Sequence, residues 1–285
     1  MAKSFVLFLN FLMIAFVSFC QQTEQKKVSC DCTSKSVRDS LVEKYLDNLV
    51  QKVWYNTPQW QLYCDSVIAI CPNIAEAYQL KAIPFIKYGD YAKAFPLEDK
   101  AVELAPKEFT AYRGFLKCIF TKDYEGAIVD FQKAQQLVPN SFEMDHTYFF
   151  YEGLCNLELG RYSKAEENFK KDIWIQTGGD TTKTVHYNSL FYLGVLYYEM
   201  KNYPLAKKYL FKCISIYQQH PEANYYLAMV FMKTKKYLLE KKYLEISKQA
   251  FTDGYNLIED NIYYANYPHQ ITPYEVEQAL KRIPR

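Results

Sequence analysis

The chain has 285 residues, 49% of them hydrophobic, so it can bury a sizeable core in one long domain or two. Its 34 basic and 32 acidic residues nearly cancel, which leaves a formal net charge of +2. Because the lysines are spaced among acidic residues and form no dense run, the composition argues against a nucleic-acid-binding protein and against a polybasic membrane patch.

The amino terminus has the pattern of an export signal. Lys3 precedes an apolar run from Phe5 to Phe19, which is shorter than the ~20 residues that a membrane span needs. Residues 1–20 are therefore predicted to be a signal peptide. Two kinds of processing stay open: lipidation of Cys20, since residues before it resemble a bacterial lipobox apart from the bulky Phe19, or ordinary cleavage before Gln21. The sequence predicts an exported protein of the bacterial cell envelope, either periplasmic or secreted. If Cys20 is lipidated, this lipid is expected to be the only membrane contact.

Residues 21–36 are predicted to form a tether that contains the first two of four clustered cysteines, Cys30 and Cys32. An exported protein meets an oxidising compartment, so bridges from Cys30 or Cys32 to Cys64 or Cys71 are expected. Cys64 and Cys71 are two helical turns apart, roughly 10 Å, which is too far for a bond between them. A zinc site is the alternative for the four thiols, although their spacing does not fit the usual zinc ligands. The remaining cysteines are expected to be small buried residues on helices: Cys118, Cys155 and Cys213.

The next stretch predicts a divergent pair of helices. An apolar helical period runs from Val37 to Val53. Thr57 and Pro58 then supply an N-cap and a first-turn proline for a second helix that ends near Cys71.

Four segments after this pair repeat one pattern. Pro72, Pro106 and Pro139 recur at intervals of 34 and 33 residues. Each repeat predicts two helices joined by a similar turn, written YGDYAKA, TKDYEGA, LGRYSKA or MKNYPLA. Small residues stand in the first helices where two helices must touch: Ala82, Gly114 or Leu116, Gly153 and Gly194. The first helix of the third repeat is expected to begin at Asp145-His146, with Asp145 as its cap.

This succession of helix, tight turn and helix resembles the tetratricopeptide repeat. The resemblance implies an all-α, right-handed superhelical solenoid of helix-turn-helix hairpins over residues 37–255. The predicted units are about 37–74, 75–108, 109–141, 146–179, 187–220 and 221–255. In the last unit the turn is expected to be lengthened, with a second helix from about Glu240 to Phe251. Residues 256–285 are predicted to be a C-terminal segment and a capping helix, which starts with a capping box of Thr272 and Glu275.

The resemblance also implies a concave groove lined by the first helix of each hairpin. Just before the small contact residue, three successive repeats carry aromatic pairs that would form a ladder: Phe150-Tyr151, Phe191-Tyr192 and Tyr225-Tyr226, with Tyr198 one turn along. Arg113 and Lys117 resemble part of the clamp with which chaperone-binding members of the family hold a terminal carboxylate. Three interpretations of the ladder stay open: it binds a ligand, it packs between repeats, or it holds the aromatic segment Ile262–Gln270 of the same chain.

The motifs of common enzymes are missing from the sequence. It has no GxxxxGK[ST] phosphate loop, G-x-S-x-G elbow or H-E-x-x-H helix, so we predict no catalysis, no cofactor and no metal. The resemblance implies instead a protein–protein interaction scaffold that holds another protein or a peptide, and no nucleic acid, in its groove. The alternative is an envelope glycan-binding module, because aromatic ladders also hold sugars.

Overall fold

The structure, a computed structural model, describes residues 30–180, 182–255 and 265–283. It divides into two compact units, Met1–Ile74 and Ala75–Arg285. The predicted signal peptide, including Cys20, lies outside the described residues.

The first unit is a short, irregular helical pair. It consists of α1 (Lys35–Leu41), which continues as a π-helical stretch (Val42–Asp47) and a 3-10 turn (Val50–Lys52), and of α2 (Pro58–Ile70). The single helix expected from Val37 to Val53 is therefore interrupted twice. Thr57 precedes α2 as predicted, but its hydroxyl donates to the carbonyl of Trp54 (2.7 Å) and caps no helix amide.

A disulfide ties the start of this unit to the end of α2. Cys32 is bonded to Cys71, which is one of the pairings that the sequence left open. The side-chain amide of Asn73 and the guanidinium of Arg38 both donate to the carbonyl of Cys32, each at 2.9 Å. Cys64 is buried in α2 and is not part of this bridge.

The second unit is a row of helical hairpins. The helices are α3 (Ala75–Lys87), α4 (Tyr91–Leu104), α5 (Pro106–Leu116), α6 (Tyr124–Leu137), α7 (Tyr148–Glu158), α8 (Tyr162–Thr177), α9 (Tyr187–Glu199), α10 (Tyr203–Ile216), α11 (Pro221–Lys233), α12 (Tyr237–Thr252) and α13 (Pro273–Arg282). Successive helices pack against each other, and one apolar core extends through the hairpins. The three single cysteines are fully buried in it, as predicted: Cys118, Cys155 and Cys213.

Small residues let the two helices of a hairpin approach closely. A Cβ atom on Gly194 would lie 2.6 Å from Cγ of Leu210, and one on Gly153 would lie 2.6 Å from the ring of Phe169. Both distances are well inside carbon–carbon contact, so larger side chains would separate the helices.

The turns within the hairpins share one backbone feature. A residue with positive φ stands between the two helices of each hairpin: Gly89 (+74°), Lys122 (+58°), Gly160 (+69°), Lys201 (+59°) and Lys235 (+57°). In the last hairpin α11 ends at Lys233 and α12 begins at Tyr237, as close together as the helices around Gly89. The expectation of a lengthened turn there was wrong.

Two hairpins depart from the regular pattern. In the second hairpin, α5 continues as a π-helical turn (Lys117–Thr121), which accommodates an extra residue and leaves Gly114 facing the ring of Phe131. Before the third, two short strands, β1 (Phe142–Glu143) and β2 (His146–Thr147), pair antiparallel. The helix expected at Asp145-His146 therefore begins only at Tyr148, and the hydroxyl of Thr147 accepts from the amide of Phe150 (3.2 Å) as its cap.

The chain ends in a short helix that closes the row. The hydroxyl of Thr272 and the carboxylate of Glu275 form the predicted capping box of α13. Val276 and Ala279 pack there against residues of α11 and α12. Among the described residues, no helix combines the length and the apolar character needed to cross a bilayer.

Candidate binding groove

A short stretch of the chain itself lies across the aromatic face of the first helices. We call Ala265–Gln270 the returning segment. It is neither helix nor strand, and Ala265 and Tyr267 are 2% and 5% exposed because they belong to the main core. The sequence left open whether the ladder holds a ligand, another repeat or a segment of the same chain, and the structure contains the last of these contacts. Of the aromatic segment Ile262–Gln270, residues 262–264 lie outside the described part.

Two groove side chains hold the main chain of the returning segment. The hydroxyl of Tyr192 donates to the carbonyl of Pro268 at 2.8 Å. The ammonium of Lys122 donates to the carbonyl of Asn266. Both contacts reach carbonyl oxygens, so these two bonds do not depend on which side chains the segment carries.

Tyr267 is the deepest side chain of the returning segment. The hydroxyl of Tyr151 donates to the carbonyl of Glu143 (3.2 Å), so at 3.4 Å it can accept from the hydroxyl of Tyr267. The ring of Tyr267 lies 6.5 Å from that of Phe150 and 6.3 Å from that of His146, at inclined angles typical of packed aromatic pairs.

His269 attaches the other end of the returning segment. Its Nδ1 atom is 2.8 Å from the hydroxyl of Tyr226, and its Nε2 atom is 3.0 Å from the carboxylate of Glu158. The backbone turns here, since His269 has a φ of +59° and the amide of Gln270 donates to the carbonyl of Tyr267 (3.3 Å). His269 thus links the first helices of two non-adjacent hairpins, α7 and α11.

Most ladder residues are interior. The following are fully buried or nearly so: Phe150, Tyr151, Phe191 and Tyr192 at 0% exposure, and Tyr226 at 8%. Burial raises the pKa of the Tyr192 phenol well above its usual range. The rings of the ladder also pack edge to face, as between Phe150 and Tyr192 (5.6 Å), so they join the repeats while they hold the returning segment.

The outer members of the ladder have other neighbours. Tyr198 is partly exposed beside Tyr226, and burial raises its pKa to about 12. Tyr225 borders a small cleft against α13, where Tyr274 and Glu275 also lie.

Arg113 and Lys117, expected in the groove, lie elsewhere. Both are bound to Asp130 of α6, Arg113 through its guanidinium at 2.6 Å and Lys117 through its ammonium at 2.8 Å. Arg113 also contacts Asp99 at 2.7 Å. Each side chain is only 19% exposed, so the pair bridges α5 and its neighbours and offers no carboxylate clamp to the groove.

The first two hairpins leave an uncovered cleft of about 330 Å³. It is mostly apolar and is lined by Gln79, Ile83, Ile86, Lys87, Tyr112, Phe115, Ile119, Phe120 and Met144. Met144, at the tip of the β-hairpin, is 55% exposed. The sequence does not single out these residues as a site, because their aromatic and aliphatic side chains alternate irregularly and form no ladder in the repeat register.

Two carboxyl groups of this part of the second unit, those of Glu98 and Glu143, have raised pKa values. Burial raises the pKa of Glu98 to about 8, against the opposing charge of Arg113, and both of its carboxylate oxygens lack hydrogen-bond partners among the described residues. Burial likewise raises the pKa of Glu143 to about 7. The described residues contain no group of three or more His, Cys, Asp or Glu arranged to hold a metal ion.

Comparisons with known proteins give structural matches alone. No family model matches the sequence, and no curated protein matches it. The structure is similar to that of PilW, a widely conserved type IV pilus biogenesis factor, with 15% identity over 76% of this chain and 93% of that chain and a TM-score of 0.59. It is similar to PilF of Pseudomonas aeruginosa, with 19% identity, 75% and 92% coverage and a TM-score of 0.55.

A third similar structure is a tetratricopeptide repeat protein from Parabacteroides merdae, with 16% identity, coverage of 86% of this chain and 97% of that chain, and a TM-score of 0.56. Identities this low establish the fold alone. The predicted all-α solenoid of helical hairpins is confirmed, and the chain has the fold of tetratricopeptide repeat proteins.

Proposed function

We propose that this protein is a non-catalytic scaffold of the bacterial cell envelope, which binds another protein or a peptide in its concave groove. One observation carries the proposal. The returning segment, a stretch of polypeptide that is neither helix nor strand, already lies in the groove with two of its carbonyls bound by Tyr192 and Lys122. A surface with these donors is suited to a peptide ligand, since any peptide presents carbonyls in the same way.

The uncovered cleft gives a partner its first point of contact. The cleft adjoins the groove, because Phe115 in its lining packs against Tyr151 with ring centroids 5.7 Å apart. Its apolar lining, with the exposed Met144 at the edge, favours an apolar anchor residue of the partner. The envelope location rests on the export signal predicted at residues 1–20.

The alternative of a glycan-binding ladder has less support. Sugars stack on open ring faces, whereas Phe150, Phe191 and Tyr192 are fully buried while the returning segment is in place. A protein or peptide partner needs no such open ring.

Site-specific photo-crosslinking tests the proposal. A photoreactive amino acid is placed at Met144 in the full chain, and at Val129 in a control, because Val129 is 64% exposed on α6 but does not line the cleft. We expect an envelope protein to crosslink at 144 and not at 129. Adding Ile83→Lys, which puts a charge into the apolar cleft, should abolish that crosslink. Equal crosslinking at both positions, or no effect of Ile83→Lys, would contradict the proposal.

A further inference from the structure

The five hairpins of the second unit differ at one internal pair of positions. Each pair joins the last turn of the first helix to the second helix: Phe85 and Leu97, Lys117 and Asp130, Asn156 and Asn168, Tyr197 and Tyr209, Phe231 and Tyr243. In most hairpins the partners are complementary. Two pairs are stacked rings with centroids 5.4 Å apart, and one is an ion pair at 2.8 Å.

The third hairpin has two side-chain amides at the positions where the hairpin before it has an ion pair and the hairpin after it has stacked rings. Asn156 and Asn168 are 4% and 8% exposed, and they are not hydrogen-bonded to each other. The amide of Asn156 donates to the carbonyl of Glu152 (2.9 Å). Among the described residues, no side-chain N or O atom of either asparagine is both fully buried and unpaired, so the polar atoms that the pair leaves unbonded are accessible to solvent and can meet a ligand.

Glu152 lies one turn before Asn156 and is the acidic member of its position in the five hairpins. The last two hairpins place fully buried leucines there, Leu193 and Leu227, and the first two place basic residues, Lys81 and Arg113. Glu152 is itself only 6% exposed. Local departures from a repeat's own pattern concentrate at functional sites, because a binding site needs polar groups that packing does not.

These three side chains line an open cleft of about 470 Å³ between α6, α7 and α8. Two asparagines occupy far less volume than the two stacked tyrosines of the next hairpin, which explains the opening. Further amides line it, including Gln132 and Gln136 of α6. Phe149 adds one partly exposed ring at the edge.

The charges around the cleft are mostly balanced within the protein. Arg161 is bound to Glu125, and the ammonium of Lys171 lies 2.7 Å from Glu167 and 5.3 Å from the ring centre of Phe149. A strongly charged ligand would have to break these pairs. The lining thus favours a neutral ligand with many hydrogen-bonding groups.

We propose that this cleft is a second binding site, separate from the groove, which takes a neutral, hydroxyl-rich ligand of the carbohydrate class. Side-chain amides donate and accept at once, as sugar hydroxyls do, and Asn156, Asn168 and Gln132 line the cleft together, with Gln132 hydrogen-bonded to the carboxyl group of Glu152. Burial raises the pKa of Glu152 to about 7, so near neutral pH its carboxyl group can either accept from a hydroxyl or donate to one.

Titration of neutral trisaccharides tests the site. Maltotriose, cellotriose and triacetylchitotriose are added at millimolar concentration to the full chain, and binding is followed by calorimetry and by amide chemical shifts. The main variant is Asn156→Tyr with Asn168→Tyr, which copies the stacked pair of Tyr197 and Tyr209 into the cleft. We expect at least one sugar to bind the wild type and to lose about tenfold or more in affinity in this variant.

A milder pair of variants covers the case in which the double change does not fold. Gln132→Ala removes an exposed amide from the cleft, while Gln249→Ala removes one from α12, far along the chain. Binding that falls only with Gln132→Ala supports the site. Failure of all three sugars to bind, equal binding by the cleft variants, or binding of acetyl-triglycine amide in their place would overturn the proposal.

Discussion

The attachment of the returning segment can be tested at Tyr267. Replacing it by alanine removes a ring that is 5% exposed and belongs to the main core. Tyr267 also contributes the hydroxyl that lies 3.4 Å from that of Tyr151. The change should therefore loosen the segment while the hairpins themselves keep their helices.

The size of the effect follows from burial. Removing a fully packed aromatic side chain costs about 3–5 kcal/mol. The returning segment can also detach, so the loss cannot exceed the free energy with which the whole segment binds the groove. For a domain of this size each kcal/mol lowers the melting temperature by about 2–4 °C. We expect Tyr267→Ala to melt several degrees below the wild type.

The assay combines thermal unfolding with hydrogen exchange of residues 265–270. Tyr274→Ala is the matched control, since Tyr274 is 66% exposed on α13 and its removal should change stability by less than about 0.5 kcal/mol. Tyr267→Ala should speed exchange in the returning segment and leave α9 protected. An unchanged melting temperature together with unchanged exchange would refute the packing described for Tyr267.

Three further predictions concern packing, pH and the disulfide. Gly194→Leu drives a side chain into Leu210, 2.6 Å from the new Cβ, and should cost roughly 1–3 kcal/mol; an unchanged melting temperature would show that the two helices do not pack as described. Burial raises the pKa of Glu98 to about 8 from its ordinary 4.5, so the native state holds a proton that the unfolded chain releases, and stability should fall as pH rises from about 4.5 to 8. Glu98→Gln should remove this dependence and stabilise the protein at pH 8 by on the order of 2–4 kcal/mol, as measured by urea unfolding at both pH values. Reducing Cys32–Cys71, whose partners are 39 residues apart, should destabilise the first unit by about 4 kcal/mol in the chain-entropy estimate, and peptide mapping that finds both thiols free in oxidised protein would contradict the bridge.

The fold was largely predictable because each hairpin repeats the same local signals. The length of the last turn was predicted wrongly, although Thr234-Lys235-Lys236-Tyr237 has the same form as the turn with Lys201. Both turns need a residue at positive φ, and a lysine in the sequence does not signal that conformation as a glycine does. The register of α5 was ambiguous for a different reason. Only the π-helical turn after Leu116 shows where the extra residue goes, and helical periodicity cannot reveal it.

The candidate site was predictable only in part. Helical periodicity predicted the aromatic face. Whether those rings contact solvent, another repeat or a distant segment of the chain depends on the tertiary structure. The returning segment comes from residues 39 or more positions beyond Tyr226, and no local pattern fixes where it lies. The positions of Asn156 and Asn168 were visible by aligning the repeats with each other, since stacked or paired residues occupy them elsewhere.

Binding of a peptide in the groove can be tested with the segment's own sequence added in trans. Residues 265–270 of the full chain are replaced by Gly-Ser-Gly-Ser-Gly-Ser, and a labelled peptide IYYANYPHQI is titrated by fluorescence anisotropy. We expect the peptide to bind this variant. Binding to the wild type should be at least about tenfold weaker, because its groove is occupied. Adding Tyr192→Phe to the variant should also weaken binding, because it removes the donor to the carbonyl of Pro268. Equal or absent binding in all three proteins would contradict this account.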